Sequence, residues 1–196
     1  EDGIRDYKVT GVRTCALPIL IACLISVTTA FSQDPSKTIL KYLDENNSKY
    51  SEMASTIWKW AEPGYLEEKT TALMQQELSS AGFTITKGIA DIPTAFVASY
   101  GSGKPVIGIL AEMDALPGLS QQAVPERNPL QNGGYGHACG HNLFGTGSIA
   151  AAIAVKNWMA ANNIKGTIRL CGTPAEEGAG GGKTYLVRAE IGRAHV

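Results

Sequence analysis

The chain lacks an excess of either charge: 17 Lys and Arg stand against 18 Asp and Glu, a net charge of −1. That balance excludes the basic footprint of a nucleic-acid binder and an acidic interaction tail. It also lacks an apolar run of the ~20 residues that a membrane helix needs. The main apolar stretch, residues 20–31 (LIACLISVTTAF), falls short of that length. Internal repeats and low-complexity tracts are absent as well. At 196 residues with 44% apolar content, the chain can bury the core of one α/β domain, and its composition excludes disorder.

The two ends do not read as protein. Residues 1–19 (EDGIRDYKVTGVRTCALPI) and the tail IGRAHV show neither helical nor strand periodicity. Written as the codons ACG TGT GCT CTT CCG ATC, residues 14–19 have a reverse complement that, shifted by one base, encodes IGRAHV. Both ends also resemble translations of a sequencing-library adapter. Residues 1–19 and 190–196 are therefore expected to be non-native. Reads that run unbroken from the genome through Ile19 would contradict this. The native part is then the N-terminal part of a longer domain, residues 33–189.

Residues 20–32 read as the remnant of a secretory signal, with Ala30-Phe31-Ser32 as a small-x-small cleavage pattern before Gln33. Export to the periplasm or beyond follows. A lipobox around Cys23 is the weaker reading, because apolar residues continue past the cysteine. With Cys15 and Cys23 set aside, Cys139 and Cys171 remain. In an exported domain the two could pair, but Cys139 sits in a metal-type motif, which favours ligation.

Helical spacing of Ile39, Leu43, Tyr50, Met53, Ile57 and Trp60 predicts a helix over 36–60, weakened at Asn46-Asn47-Ser48 and ended by Glu62-Pro63-Gly64. A second helix is expected over 67–80, stopped by Gly82. Strands are expected at 83–86, 94–100 and 106–110. The last, VIGIL, has the continuous apolar character of a strand buried on both faces. It leads into AEMDALP, which puts Asp114 at a strand's C-terminal end, where open α/β sheets gather ligands. Residues 118–135 read as a loop. A helix over 142–162 follows with Asn142 as its N-cap, then a strand at 166–170 feeding PAEEG, and a further helix near Lys183.

Cys139 and His141 flank Gly140 in a loop that opens a helix. The helix dipole favours a thiolate there, and thiolate with imidazole suits zinc or a similar ion. On its own the tripeptide reads more readily as a buried structural cysteine beside a capping histidine. Glu176 and Glu177 are adjacent carboxylates after a strand. They are either a solvated pair in a turn or a metal ligand beside a proton carrier. GAGGGKT at 178–184 imitates a phosphate-binding loop, but the position five residues before Gly182 is Glu177, whose charge would oppose a phosphate.

Taken in order, AEMDALPG, LSQQ, GHACGHN, the small-residue helix AAAIAVKNWM and PAEEG resemble the aminoacylase-like dinuclear metallopeptidases and amidohydrolases. IWKWAEPGYLEEKTTAL and AGFTIT fit the same family, so the resemblance covers residues 37–189. It implies a co-catalytic zinc-peptidase type catalytic domain: α/β, with a mixed or mostly parallel sheet flanked by helices. It implies two divalent ions, Zn or Mn, and a metal-dependent hydrolase of amide bonds. Substrates would be small amides: N-acyl-amino acids, p-aminobenzoyl-glutamate-like compounds or dipeptides.

By the same resemblance, Cys139, His141 and Glu177 are metal ligands and Glu176 is the general base. Asp114 orients a metal-site residue, and His137 supports the loop. Asn142 stands where an indole-acetyl-amino-acid branch has aspartate, which points to the p-aminobenzoyl-glutamate and dipeptidase-like branches. The family's remaining histidine ligands and its lid are expected beyond Ala189, so the stretch in hand is expected to be inactive alone. The longer protein is expected to form a homodimer or hetero-oligomer. Two rival readings are a non-catalytic binding protein on this scaffold and a thiol enzyme using Cys139 with His137 or His141.

Overall fold

The computed structural model describes residues 34–179 and 181–189. The expected non-native ends and the signal remnant therefore lie outside the described residues. The first helical stretch is two helices, α1 (Pro35–Glu45) and α2 (Asn47–Trp60), broken at Asn46. The Asn46 side chain donates to the Tyr42 carbonyl at 2.8 Å, competing with the helix backbone as asparagine does in helix interiors. α2 ends at Ala61, whose backbone is left-handed (φ 44°).

Glu62 then starts α3 (Glu68–Ser80) from a distance. Its carboxylate accepts the backbone N–H groups of Lys69 at 3.0 Å and Thr70 at 2.8 Å. These are donors that the first turn of a helix cannot satisfy internally. The EPG sequence therefore ends one helix and caps the next.

Four strands make one mixed sheet in the order β1-β2-β4-β3: β1 (Thr84–Lys87), β2 (Phe96–Ser102), β3 (Val106–Glu112) and β4 (Gly166–Thr173). β1 and β4 each pair antiparallel with β2, and β3 runs parallel to β4. The parallel pair is joined through α4 (His141–Ala161). Of the two expected sheet types, the mixed one is found.

Strand alternation divides the core between two faces. Phe96, Ala98, Ile168 and Leu170 join Ile57, Met74, Leu78, Ile149 and Ile153 of the helices on one face. Val97 and Cys171 face the other way and pack with Ile89, Ile92 and Leu186, the last from α6 (Gly181–Arg188). A short helix α5 (Glu176–Ala179) precedes α6. Among the described residues no helix is long and apolar enough to cross a membrane.

Two local expectations are corrected. β3 is not buried on both faces: Val106, Ile107 and Leu110 are 47%, 55% and 47% exposed. The reason is position, since β3 lies at the edge of the described sheet and only α4 covers it closely. Asn142 is not the N-cap of α4. Gly140 takes that place with φ 87°, a left-handed turn that glycine makes without strain. Asn142 is instead buried one residue inside the helix, donating to the Ala54 carbonyl at 3.2 Å.

Candidate metal centre

Three chain segments meet at one end of the parallel pair. β3 ends in Glu112, with Asp114 two residues on; β4 runs through Thr173 into Pro174 and the Glu176-Glu177 pair. The register pairs Glu112 with Thr173, so the two carboxylate segments leave the sheet side by side. The N-terminus of α4 brings Cys139 and His141 over the same rim. This is the C-terminal edge of parallel strands, where the loops of an α/β sheet form clefts.

His141 is the hub. It is buried, and its Nδ1 lies 3.0 Å from Asp114 Oδ1 and 3.7 Å from Glu177 Oε1. On the other side its Nε2 lies 2.9 Å from Glu112 Oε2 and 3.9 Å from Glu176 Oε2. The Asp114 hydrogen bond raises the His141 pKa above its ordinary value, against the effect of burial. Burial works to raise Asp114 in turn, but its bonds to His141 and to the Glu177 backbone outweigh that and hold its carboxyl low. Asp114 Oδ2 accepts the Glu177 N–H at 2.9 Å. One buried carboxylate thus fixes a ring and a backbone turn together.

The donor set fits a divalent cation. The ligand atoms of Cys139, His141 and Glu177 lie within 4.8 Å of one another, and so do those of Glu112, His141 and Glu176. Glu177 Oε1 is buried without a hydrogen-bond partner. Such an atom is costly unless a cation or water meets it. Four carboxylates around one imidazole repel each other, and a bound ion relieves that repulsion.

The Cys139 thiol departs from expectation. It is exposed, and Glu177 pushes its pKa up through hydrogen bonding and charge, outweighing the dipole of α4. A raised thiol does not suit a nucleophile, which disfavours the thiol-enzyme reading. Cys171 is buried in the core and both cysteines are free, so the candidate disulfide is not formed. Both ring nitrogens of His137 are buried without a well-formed hydrogen bond, and burial lowers its pKa.

Sequence reasoning missed two members of the cluster. Glu112 was legible in principle, since it closes the strand two residues before Asp114, which was already singled out. Lys183 was not. It comes from α6 to pair with Glu112 and stands 3.6 Å from Glu176 Oε1. Burial opposes its charge, but these two carboxylates prevail and raise its pKa. A cavity of about 230 Å³ opens beside the cluster, lined by Tyr65, Asp114, Pro117, Tyr135 and Glu177 among others.

The profile of peptidase family M20/M25/M40 matches residues 108–195, the stretch that carries every residue of the cluster. That stretch of the chain is similar to that family. Among relatives, one subunit of the p-aminobenzoyl-glutamate hydrolase of Escherichia coli is 45% identical over 78% of this chain and 33% of its own length. The hippurate hydrolase of Campylobacter jejuni is 30% identical over 70% of this chain and 34% of its own. A dinuclear metal-binding peptidase of the M20 family from Bacillus subtilis shares the fold. It superposes with a TM-score of 0.60 at 24% identity, over 77% of this chain and 41% of its own. The chain spans about a third of the length of the curated relatives it matches.

Proposed function

We propose that the protein is a metal-dependent hydrolase of amide bonds, acting on p-aminobenzoyl-glutamate or a similar N-acyl-amino acid or dipeptide. The observation that carries this is the buried His141 held between Asp114 and Glu112, with Cys139 and Glu177 beside it, whose Oε1 is buried without a hydrogen-bond partner. Cys139, His141 and Glu177 would hold one ion, and Glu112 and Glu176 would border a second position beside it. The metals are two divalent ions, Zn or Mn, which when bound supply Lewis acidity for the amide carbonyl.

Glu176 is the general base. At 38% side-chain exposure it is the most accessible of the four carboxylates, and it can meet a water on the cleft side. It takes the proton of the attacking water and returns it to the amine nitrogen as the C–N bond breaks. Asp114 touches no substrate. It keeps the His141 proton on Nδ1, leaving Nε2 free to ligate.

The substrate class is supported by the identity to the p-aminobenzoyl-glutamate hydrolase of Escherichia coli. The matching chain there is one of that enzyme's subunits, which also supports the proposal that the longer protein works as an oligomer. Export rests on residues 20–32 alone and is tested by cell fractionation of the native gene product. Metal analysis of the whole protein, with hydrolysis of p-aminobenzoyl-glutamate before and after chelation, tests the function. Glu176→Gln should keep the metal and lose about 100- to 10,000-fold in turnover. Metal-free protein with chelator-resistant activity would reject the proposal.

A further inference from the structure

The turn at 62–67 touches both segments of the metal centre. Ala115 N–H donates to the Glu62 carbonyl at 2.9 Å, and Pro63 forms a bridge with Ala115, just past Asp114. From the same turn, Glu67 reaches the other segment. Its carboxylate is fully buried, and Oε1 accepts the Ala175 N–H at 2.8 Å. Ala175 is the residue before the Glu176-Glu177 pair, and its backbone is left-handed, with φ 57°. For a residue with a Cβ that conformation is strained, and it persists only where surroundings enforce it. Gly64 closes the other side: a Cβ there would lie 2.8 Å from both Cα and Cβ of Ala175.

We infer that Glu67 is a positioning residue for the metal centre, holding the strained Ala175 peptide so that Glu176 and Glu177 point at His141. The chain of contact is short and continuous. Glu67 fixes Ala175, two residues on the Glu177 N–H meets Asp114 Oδ2, and Asp114 Oδ1 meets the His141 ring. Without the Glu67 acceptor, the Ala175 N–H is buried and unpaired, and the peptide relaxes out of the left-handed region. The carboxylates of the next two residues then swing. The role needs an acceptor oxygen and a filled space rather than a charge. Gln is therefore an adequate substitute and Ala is not.

The inference rests on the metal-site reading above, so its test has one arm with metal and one without. In the first, Co²⁺ is titrated into the protein and into Glu67→Ala, Glu67→Gln and Gly64→Ala, with folding followed by circular dichroism. The Ala variants should lose about 10- to 100-fold in Co²⁺ affinity and shift the thiolate-to-cobalt band, as outer-sphere substitutions do. Glu67→Gln should stay within about threefold of the parent protein. In the second arm the Glu177 amide resonance is compared by NMR without metal: it should move in both Ala variants and stay in place in Glu67→Gln. Should Glu67→Ala fail to fold, Gly64→Ala and Glu67→Gln decide. A folded Ala variant with unchanged affinity and amide shift overturns the inference, as does a Gln variant that loses as much as Ala. If the parent protein binds no Co²⁺, the metal reading fails and the amide arm still decides the positioning role.

Discussion

Asp114 holds His141 through one carboxylate oxygen, at 3.0 Å, while its other oxygen holds the Glu177 backbone at 2.9 Å. The two bonds tie His141 on the first turn of α4 to Glu177 beyond the end of β4. The placement of these two proposed ligands therefore depends on Asp114, and exchanging Asp114 tests that dependence.

Asp114→Asn keeps an oxygen for hydrogen bonding but removes the charge that raises the His141 pKa. The His141 titration, followed by NMR in metal-free protein, should move down toward the ordinary value. Zn²⁺ affinity, measured by competition with a chromophoric chelator, should fall about 10- to 100-fold. An unchanged His141 titration would contradict the assignment of Asp114.

The same pair sets a pH window. His141 is raised from an ordinary 6.5, so its contribution to stability is complete below about 6.5 and is lost as pH rises through the folded value. Asp114 is lowered from 3.8, so its contribution is complete above about 3.8 and is lost as pH falls through the folded value. Metal-free protein therefore gains most from this pair between those limits, and Asp114→Asn should flatten urea midpoints across them. His137, lowered from 6.5, works in the opposite sense and costs stability as pH falls below that value. Metal binding needs His141 and Cys139 deprotonated, and both are raised. Apparent Zn²⁺ affinity should climb with pH from about 6 upward, with proton release measurable by calorimetry in buffers of different ionisation enthalpy.

Lys183 places an ammonium between Glu112 and Glu176, where a second divalent ion would put its charge. Lysine and ion compete. Lys183→Met should raise affinity for the second equivalent of Mn²⁺ by about fivefold, the scale of a partly exposed ion pair of about 1 kcal/mol. Equal stepwise affinities in the two proteins, measured by calorimetry, would remove Lys183 from the site.

β3 presents Val106, Ile107 and Leu110 along an edge of the described sheet. Exposed apolar edges recruit other strands. Ile107→Lys should reduce self-association of this chain in sedimentation velocity and leave Co²⁺ binding intact. Self-association that is unaffected by the lysine would place the contact elsewhere.

Much of the site was legible because its residues follow elements that were themselves legible. Asp114 and the Glu176-Glu177 pair lie just past strand ends, and Cys139 and His141 open a helix, so the rim could be placed before any contact was known. Glu67 and Lys183 were hidden for a physical reason. Each acts across a large sequence separation, Glu67 on Ala175 and Lys183 on Glu112, through contacts that leave no local pattern. The burial of VIGIL was misjudged because apolar character reports what a strand can bury and carries no information on which neighbour is present. Asn142 was misjudged as a cap because Gly140, two residues earlier, makes the left-handed turn without a side chain.

The most direct test of the central claim is a Co²⁺ titration of this chain and of Cys139→Ser, read by absorption. The account predicts a thiolate-to-cobalt charge-transfer band in the parent chain, absent from the serine variant, with affinity also lost in His141→Ala and Glu177→Ala. A parent chain that shows no such band, or a serine variant that retains it, would contradict a metal centre built on Cys139, His141 and Glu177.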